Sequence, residues 1–255
     1  MSRASPDRRP DRPATDGDLV ALDLRLWKLP RGRHGLPREV VARSQRERLI
    51  AAVVRVTAAK GYQATSVADV LKAAGVGRES FYKHFEGKED CFLAANDVLI
   101  DDLEATVTDA YAQPGSWSER IRRGLAATLE WLAADADVAR VMMLEMGTVG
   151  PIATTRFRQT FHRFTVLLDD GREAIDGVPD LPNLSSIAGG AVFARVYEQV
   201  ALGETESLPQ LLPQLTFELL LPYVGEAVAA AERTAAEEEV AKQNANSERG
   251  AGTPR

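Results

Sequence analysis

The sequence predicts an all-α fold in which a three-helix module near the N terminus precedes a larger helical domain. Three observations carry that prediction. Apolar residues recur at helical spacing from about residue 38 to residue 240, and no alternating Val, Ile and Thr run marks a strand. The run Thr65 to Lys88, TSVADVLKAAGVGRESFYKHFEGK, compresses two short helices and a glycine turn into one stretch. Beyond it, Gln113-Pro114-Gly115, Pro151 and Gly177-Val178-Pro179 cut the chain into segments of helical length.

Residues 1–18 are Pro, Arg and Asp with almost nothing apolar, so they cannot build a core and are read as disordered. After an apolar patch at 19–29 comes Pro30-Arg31-Gly32-Arg33-His34-Gly35, which resembles the Pro-Arg-Gly-Arg core of an AT-hook. Arg31 and Arg33 on such an arm, assigned to residues 1–36, can lie along a narrow A·T minor groove. The alternative is a solvated linker.

A first helix runs from about Arg38 to Gly61, burying Leu49, Ala52, Val53 and Val56 and carrying Arg43, Arg46 and Arg48 outside. Thr65 or Ser66 caps the second, whose Val67, Val70 and Leu71 form an apolar face, and Gly75 ends it. Phe81 and Phe85 stand four apart on the third and bury together, leaving Arg78, Ser80, Tyr82, Lys83 and His84 on its surface as donors for phosphates and base edges. Gly87 and Lys88 open a connecting helix to Tyr111, and residues 37–90 are assigned to the DNA-binding domain.

The order T-x-V-x-x-V-x-x-x-A-G-V, then F-Y-x-H-F and K-E, resembles the tetracycline-repressor-like (TetR) family of bacterial transcription regulators over residues 44–95. The resemblance implies that Thr65 and the second-helix residues around Ser66 sit against phosphates. It also implies that the helix bearing Arg78, Ser80, Tyr82, Lys83 and His84 enters the major groove, and that Lys88 touches the backbone. Three positions depart from the pattern. Gly77 replaces a capping Ser, and Cys91 replaces a core Leu. Glu79 occupies a site that is usually small, where a carboxylate is repelled by phosphate but can accept a hydrogen bond from cytosine N4.

Charge divides the same way. Residues 1–90 carry 18 Lys+Arg against 12 Asp+Glu, whereas residues 91–255 carry 13 against 25. A basic N-terminal module on an acidic body is expected when only the module meets nucleic acid. The single cysteine excludes an intramolecular disulfide, and the sequence holds no apolar run of membrane length and no signal peptide, which together read as cytoplasmic. The three histidines are too scattered for a metal site, no P-loop, GxSxG or dinucleotide motif occurs, and no cofactor or catalytic residue is assigned. The expectation is a protein that is not an enzyme.

In the body, assigned to residues 91–240, Ser116 or Ser118 caps a helix through Ala134, Ala136 to Met146 makes a shorter one, and Pro151 opens another with Phe157, Phe161, Phe164 and Leu168 on one stripe. Ser185 to Leu202 and Leu208 to Leu221 are apolar on nearly every side, Pro222 bends the chain, and residues 241–255 are read as a disordered tail. The two late helices resemble the family's dimerising pair, with Gly189, Gly190, Ala191 and Ala194 permitting close approach and Leu211, Leu212, Leu215 and Leu219 supplying area. Ordinary core is the other reading.

The family position of the inducer cavity falls on Trp131, Met142, Met143, Met146, Phe157, Phe161 and Phe164, with Arg195, Tyr197 or His162 as polar anchors. Core packing is again the alternative. The function these observations imply is a homodimeric regulator that binds palindromic double-stranded DNA and responds to a small, mainly hydrophobic effector, most simply a repressor. A constitutive or architectural DNA-binding protein, or a small-molecule binder without DNA affinity, are the alternatives.

Overall fold

A computed structural model describes residues 38–175, 181 and 183–251; the arm with Arg31 and Arg33 lies outside these residues. The described residues are helical throughout, with no strand among them. Helices α1 (Arg38–Lys60), α2 (Val67–Ala74) and α3 (Arg78–Tyr82) form the N-terminal module, and α4 (Lys88–Tyr111) leads out of it. The body adds α5 (Trp117–Ala133), α6 (Ala136–Arg140), α7 (Pro151–Ala174), α8 (Leu184–Ala201) and α9 (Leu212–Ala251). No helix among the described residues is long and apolar enough to cross a membrane.

The helix boundaries follow local chemistry. Ser66 caps α2 through a capping box with Asp69, and Ser116 caps α5 through the same arrangement with Glu119. Gly75 ends α2 at φ 64°, a left-handed position that costs other residues steric strain. Leu49, Val53, Phe81 and Phe92 are fully buried where α1, α3 and α4 meet, and this core continues into Val141, Met142 and Met146 of the body. A second core joins α5, α8 and α9 through Leu129, Val196, Leu215 and Leu220, with Leu208 of the 3₁₀ turn Thr205–Leu211 beside them.

Four expectations are corrected. The predicted helix from Ala136 to Met146 is helical only to Arg140, after which Val141–Glu145 forms a π-helical turn and Met146–Thr148 a 3₁₀ turn. Pro222 lies inside α9 and the break falls at Gly225, where φ 75° and ψ 173° occupy a region open to glycine. Proline's own φ suits a helix, which is why it is not the residue that leaves it. The last helix also continues to Ala251 through the segment assigned to a tail, supported by the Lys242–Glu238 ion pair and by a hydrogen bond from Gln243 to Glu130 of α5. Finally, Leu212, Leu215 and Leu219 are core, at 2, 1 and 6% exposure, and Gly189 faces Phe161 and Thr165 of α7.

Beyond Gly225 the chain lies along α5. Arg122 of α5 pairs with Glu232 at 2.9 Å and Glu239 at 2.5 Å, and the Arg122 and Glu232 side chains are only 14% and 12% exposed. α8, expected to be covered all round, instead leaves a stripe open on the single chain, with Ile187 at 67% and Leu202 at 66% exposure and Ala191 and Ala194 between them.

Candidate nucleic-acid interface and internal cavity

Phe81 and Phe85 anchor α3, with ring centroids 5.7 Å apart and both rings buried. Their burial turns Arg78, Glu79, Tyr82 and Lys83 outward, with Tyr82 53% exposed and Ser80 half-buried beside them. Glu79 and Lys83, one turn apart, form an ion pair at 2.8 Å, and the hydrogen bond from Lys83 holds the Glu79 carboxyl below its usual range. The lysine expected to face phosphate is thus partly neutralised by the carboxylate beside it. His84 is half-buried; burial, then the charge of Arg46, lowers its pKa, so the ring is neutral at pH 7.

Arg43 and Arg46 are exposed on α1, and Arg46 lies 5.6 Å over the Phe85 ring, which brings α1 and the end of the recognition segment together. Burial of Cys91 beneath them pushes its thiol up to about 12, leaving it protonated and inert.

Three residues expected against phosphate have other engagements. Thr65 is 3% exposed and its hydroxyl donates to Gly61 O at 2.8 Å, closing the turn between α1 and α2, so it is a turn residue. The Ser66 hydroxyl donates to Asp69 Oδ2 at 2.5 Å and accepts from Asp69 N, so its role is capping. Lys88 Nζ donates to Tyr62 O at 2.9 Å and sits 4.1 Å over the Tyr62 ring, which pins the start of α4 to the same turn and leaves two of its protons for a phosphate.

That turn is also tied to the body. Glu145, at the end of the π turn and 8% exposed, accepts the Tyr62 N–H at 2.8 Å, and Gln63 Nε2 donates to Thr148 O at 2.6 Å. Arg55 of α1 grips the start of α6, donating to both oxygens of Asp135 at 2.9 and 2.7 Å and to Asp137 at 2.6 Å. Burial alone would raise the Asp135 pKa, but the Arg55 hydrogen bond and two backbone N–H groups hold it low.

A cavity of about 150 Å³, partly open to the surface, lies between α4, α5, the π turn, α7 and α8. Of the expected liners, Met142, Met143, Met146, Phe157, Phe161 and Phe164 do line it. Trp131 does not; its indole N–H donates to Asp102 at 2.8 Å. Arg195 is paired with Glu198 outside the cavity, and His162 is exposed. Sequence reasoning missed Asn96, Ile100, Leu103, Val192 and Phe193, which come from α4 and α8. A second lobe of about 130 Å³ shares Thr128, Phe161, Phe164, Gly189 and Val192 with the first and extends toward Tyr111 and Leu168.

Residues 49–95 match the family model described as "Bacterial regulatory proteins, tetR family". The chain is 28% identical over 191 residues to the HTH-type transcriptional repressor DhaR of Mycobacterium sp. strain GP1, covering 69% of this chain and 92% of that one. Among solved structures it shares the fold of the fatty acid degradation regulator FadR from Bacillus halodurans, with TM-score 0.61 at 22% identity over 68% of this chain and 97% of that one. FadR from Bacillus subtilis in complex with stearoyl-CoA is similar, with TM-score 0.60 at 20% identity over 70% and 97%. Together with the exposed helix α3 on its Phe81–Phe85 anchor, the match over residues 49–95 and these likenesses support a helix-turn-helix transcription regulator of the tetR type.

Proposed function

We propose that the protein is a cytoplasmic, homodimeric, ligand-responsive repressor, released from a palindromic operator when a small hydrophobic molecule fills the cavity. One observation carries this reading: the Met-lined wall of the cavity and the first turn of the helix-turn-helix are joined by a single short segment. Met142, Met143 and Met146 face the cavity, while Glu145 between them holds the Tyr62 N–H. A ligand that moves the π turn therefore moves the anchor of α2, and with it α3. Two recognition helices fit successive major grooves only at roughly 34–36 Å, so a small rotation of each module is enough to lower affinity.

The apolar lining supports a hydrophobic effector, and the stearoyl-CoA in the related B. subtilis fold supports an extended one. Arg78, Ser80, Tyr82, Lys83 and His84 would face the major groove, with Arg43 and Lys88 on flanking phosphates. Arg31 and Arg33 would reach the neighbouring minor groove. The exposed stripe on α8, with Leu221 and Val228 of α9, would pair across the twofold.

The test begins with recovery of bound genomic fragments to define the operator, followed by Met143→Trp. A tight core would lose about 1–3 kcal/mol through overpacking, whereas a true effector cavity accepts the ring with little loss. We expect the variant to fold, dimerise and bind operator while no longer being released by apolar compounds that release the wild type. Strong destabilisation, together with no release of the wild type by any such compound, would leave a constitutive DNA-binding protein.

A further inference from the structure

Asn96 breaks an otherwise apolar stripe. On the inner face of α4, Phe92, Leu99, Ile100 and Leu103 are buried hydrophobics at helical spacing, and Asn96 stands among them at 5% exposure. Position 96 has the burial of a leucine. Its amide makes no hydrogen bond with any described residue, and the side chain lines the 150 Å³ cavity. An amide with two donors and an acceptor held this way has no partner among the described residues and is left to whatever occupies the pocket.

The rest of the wall narrows what could satisfy it. No charged residue is among those lining either lobe, so a carboxylate or ammonium inside would be desolvated without a counter-charge. The Thr128 hydroxyl donates back to Gly124 O at 2.9 Å and that of Thr165 to His162 O at 3.2 Å, so their protons are committed, and beside Thr160 of the rim Asn96 is the amide left facing the space. The two lobes share a wall at Phe161, Phe164 and Val192, which suits an apolar body longer than the first lobe alone.

We propose that Asn96 is the specificity-determining residue of the cavity and selects effectors that carry an uncharged hydrogen-bonding group, a ketone, ester, amide or alcohol, on an apolar chain. The inference rests on the effector reading above and adds the chemical class. It also gives the ligand a direct hold on α4, two turns along the helix from Lys88, whose ammonium fastens that helix to Tyr62 O.

Three probes of matched length separate the possibilities: octane and 2-octanone, measured by headspace partition over the full-length protein, and octanoate, measured by calorimetry. The wild type should bind 2-octanone about tenfold more tightly than octane, the worth of one net hydrogen bond, and octanoate more weakly than the ketone. Asn96→Leu should abolish the preference for the ketone while keeping or improving octane binding. Equal affinity for octane and 2-octanone in the wild type, tightest binding of octanoate, or a ketone preference that survives Asn96→Leu would each overturn the role of Asn96. Should the leucine variant misfold, the wild-type comparison and Asn96→Ala decide the matter alone. Binding of octane with no gain for the ketone removes only the Asn96 assignment; failure of all three probes removes the effector cavity as well.

Discussion

Glu79 sets the charge of the recognition helix. Its carboxylate is 86% exposed and draws the Lys83 ammonium to 2.8 Å, so the two form a neutral pair on the exposed face of α3. Glu79→Gln should release Lys83 toward phosphate, raising affinity for random DNA several-fold and steepening the salt dependence by about 0.9, the worth of one neutralised phosphate. Fluorescence anisotropy across a salt series measures both. If Glu79 also reads cytosine, the same variant loses preference for its operator at that base pair.

Much of the module was legible at this scale, because Phe81, Phe85 and Cys91 follow helical spacing and Ser66 sits three residues before its capping partner. Thr65 was misread. Its hydroxyl is spent on a carbonyl four residues back, and that geometry exists only once the turn has closed. Asn96 was missed although the break in the α4 stripe is visible, since a polar residue acquires meaning only beside the space it faces.

Among the elements, the π turn at Val141–Glu145 carries the most consequence. Such a turn widens the helix without a compositional signature, so the sequence showed an ordinary short helix there. Its bond to Tyr62 spans 83 residues and was beyond any local pattern. Glu145→Ala should leave the buried Tyr62 N–H without an acceptor, costing about 1–3 kcal/mol, seen as a lower melting temperature. Operator binding should persist while release by effector is blunted, which anisotropy with and without ligand would measure. Full release by the variant would place the coupling in α4 alone. The ends of α4, α5 and α7 were legible for a simpler reason, since Gly87, Ser116 and Pro151 each announce a helix start.

For the whole molecule, the open stripe on α8 concentrates exposed apolar surface on one side of the body. The double substitution Ile187→Glu and Leu202→Glu should yield a monomer by light scattering, with an unchanged fold by circular dichroism. Affinity for a two-half-site operator should fall by at least about a hundredfold as the second recognition helix is lost. An intact dimer in that variant would move the twofold elsewhere. The sequence does not separate the buried Leu212, Leu215 and Leu219 from the exposed Ile187 and Leu202, because apolar residues on every side of a helix do not say which side the same chain already covers.

The turn at Gly225 gives the cavity walls of unequal compliance. By redirecting the last helix along α5, it lets Glu232 and Glu239 clamp Arg122 from outside, so α5 is gripped on the face away from the ligand space. Another wall is the π turn, where the regular helical ladder is interrupted. Strain from an entering molecule goes to whichever wall yields first. Under the proposed effector mechanism, a stiff side paired with a soft one would rectify that strain, sending it through Glu145 toward Tyr62 rather than letting it dissipate as a general swelling of the bundle.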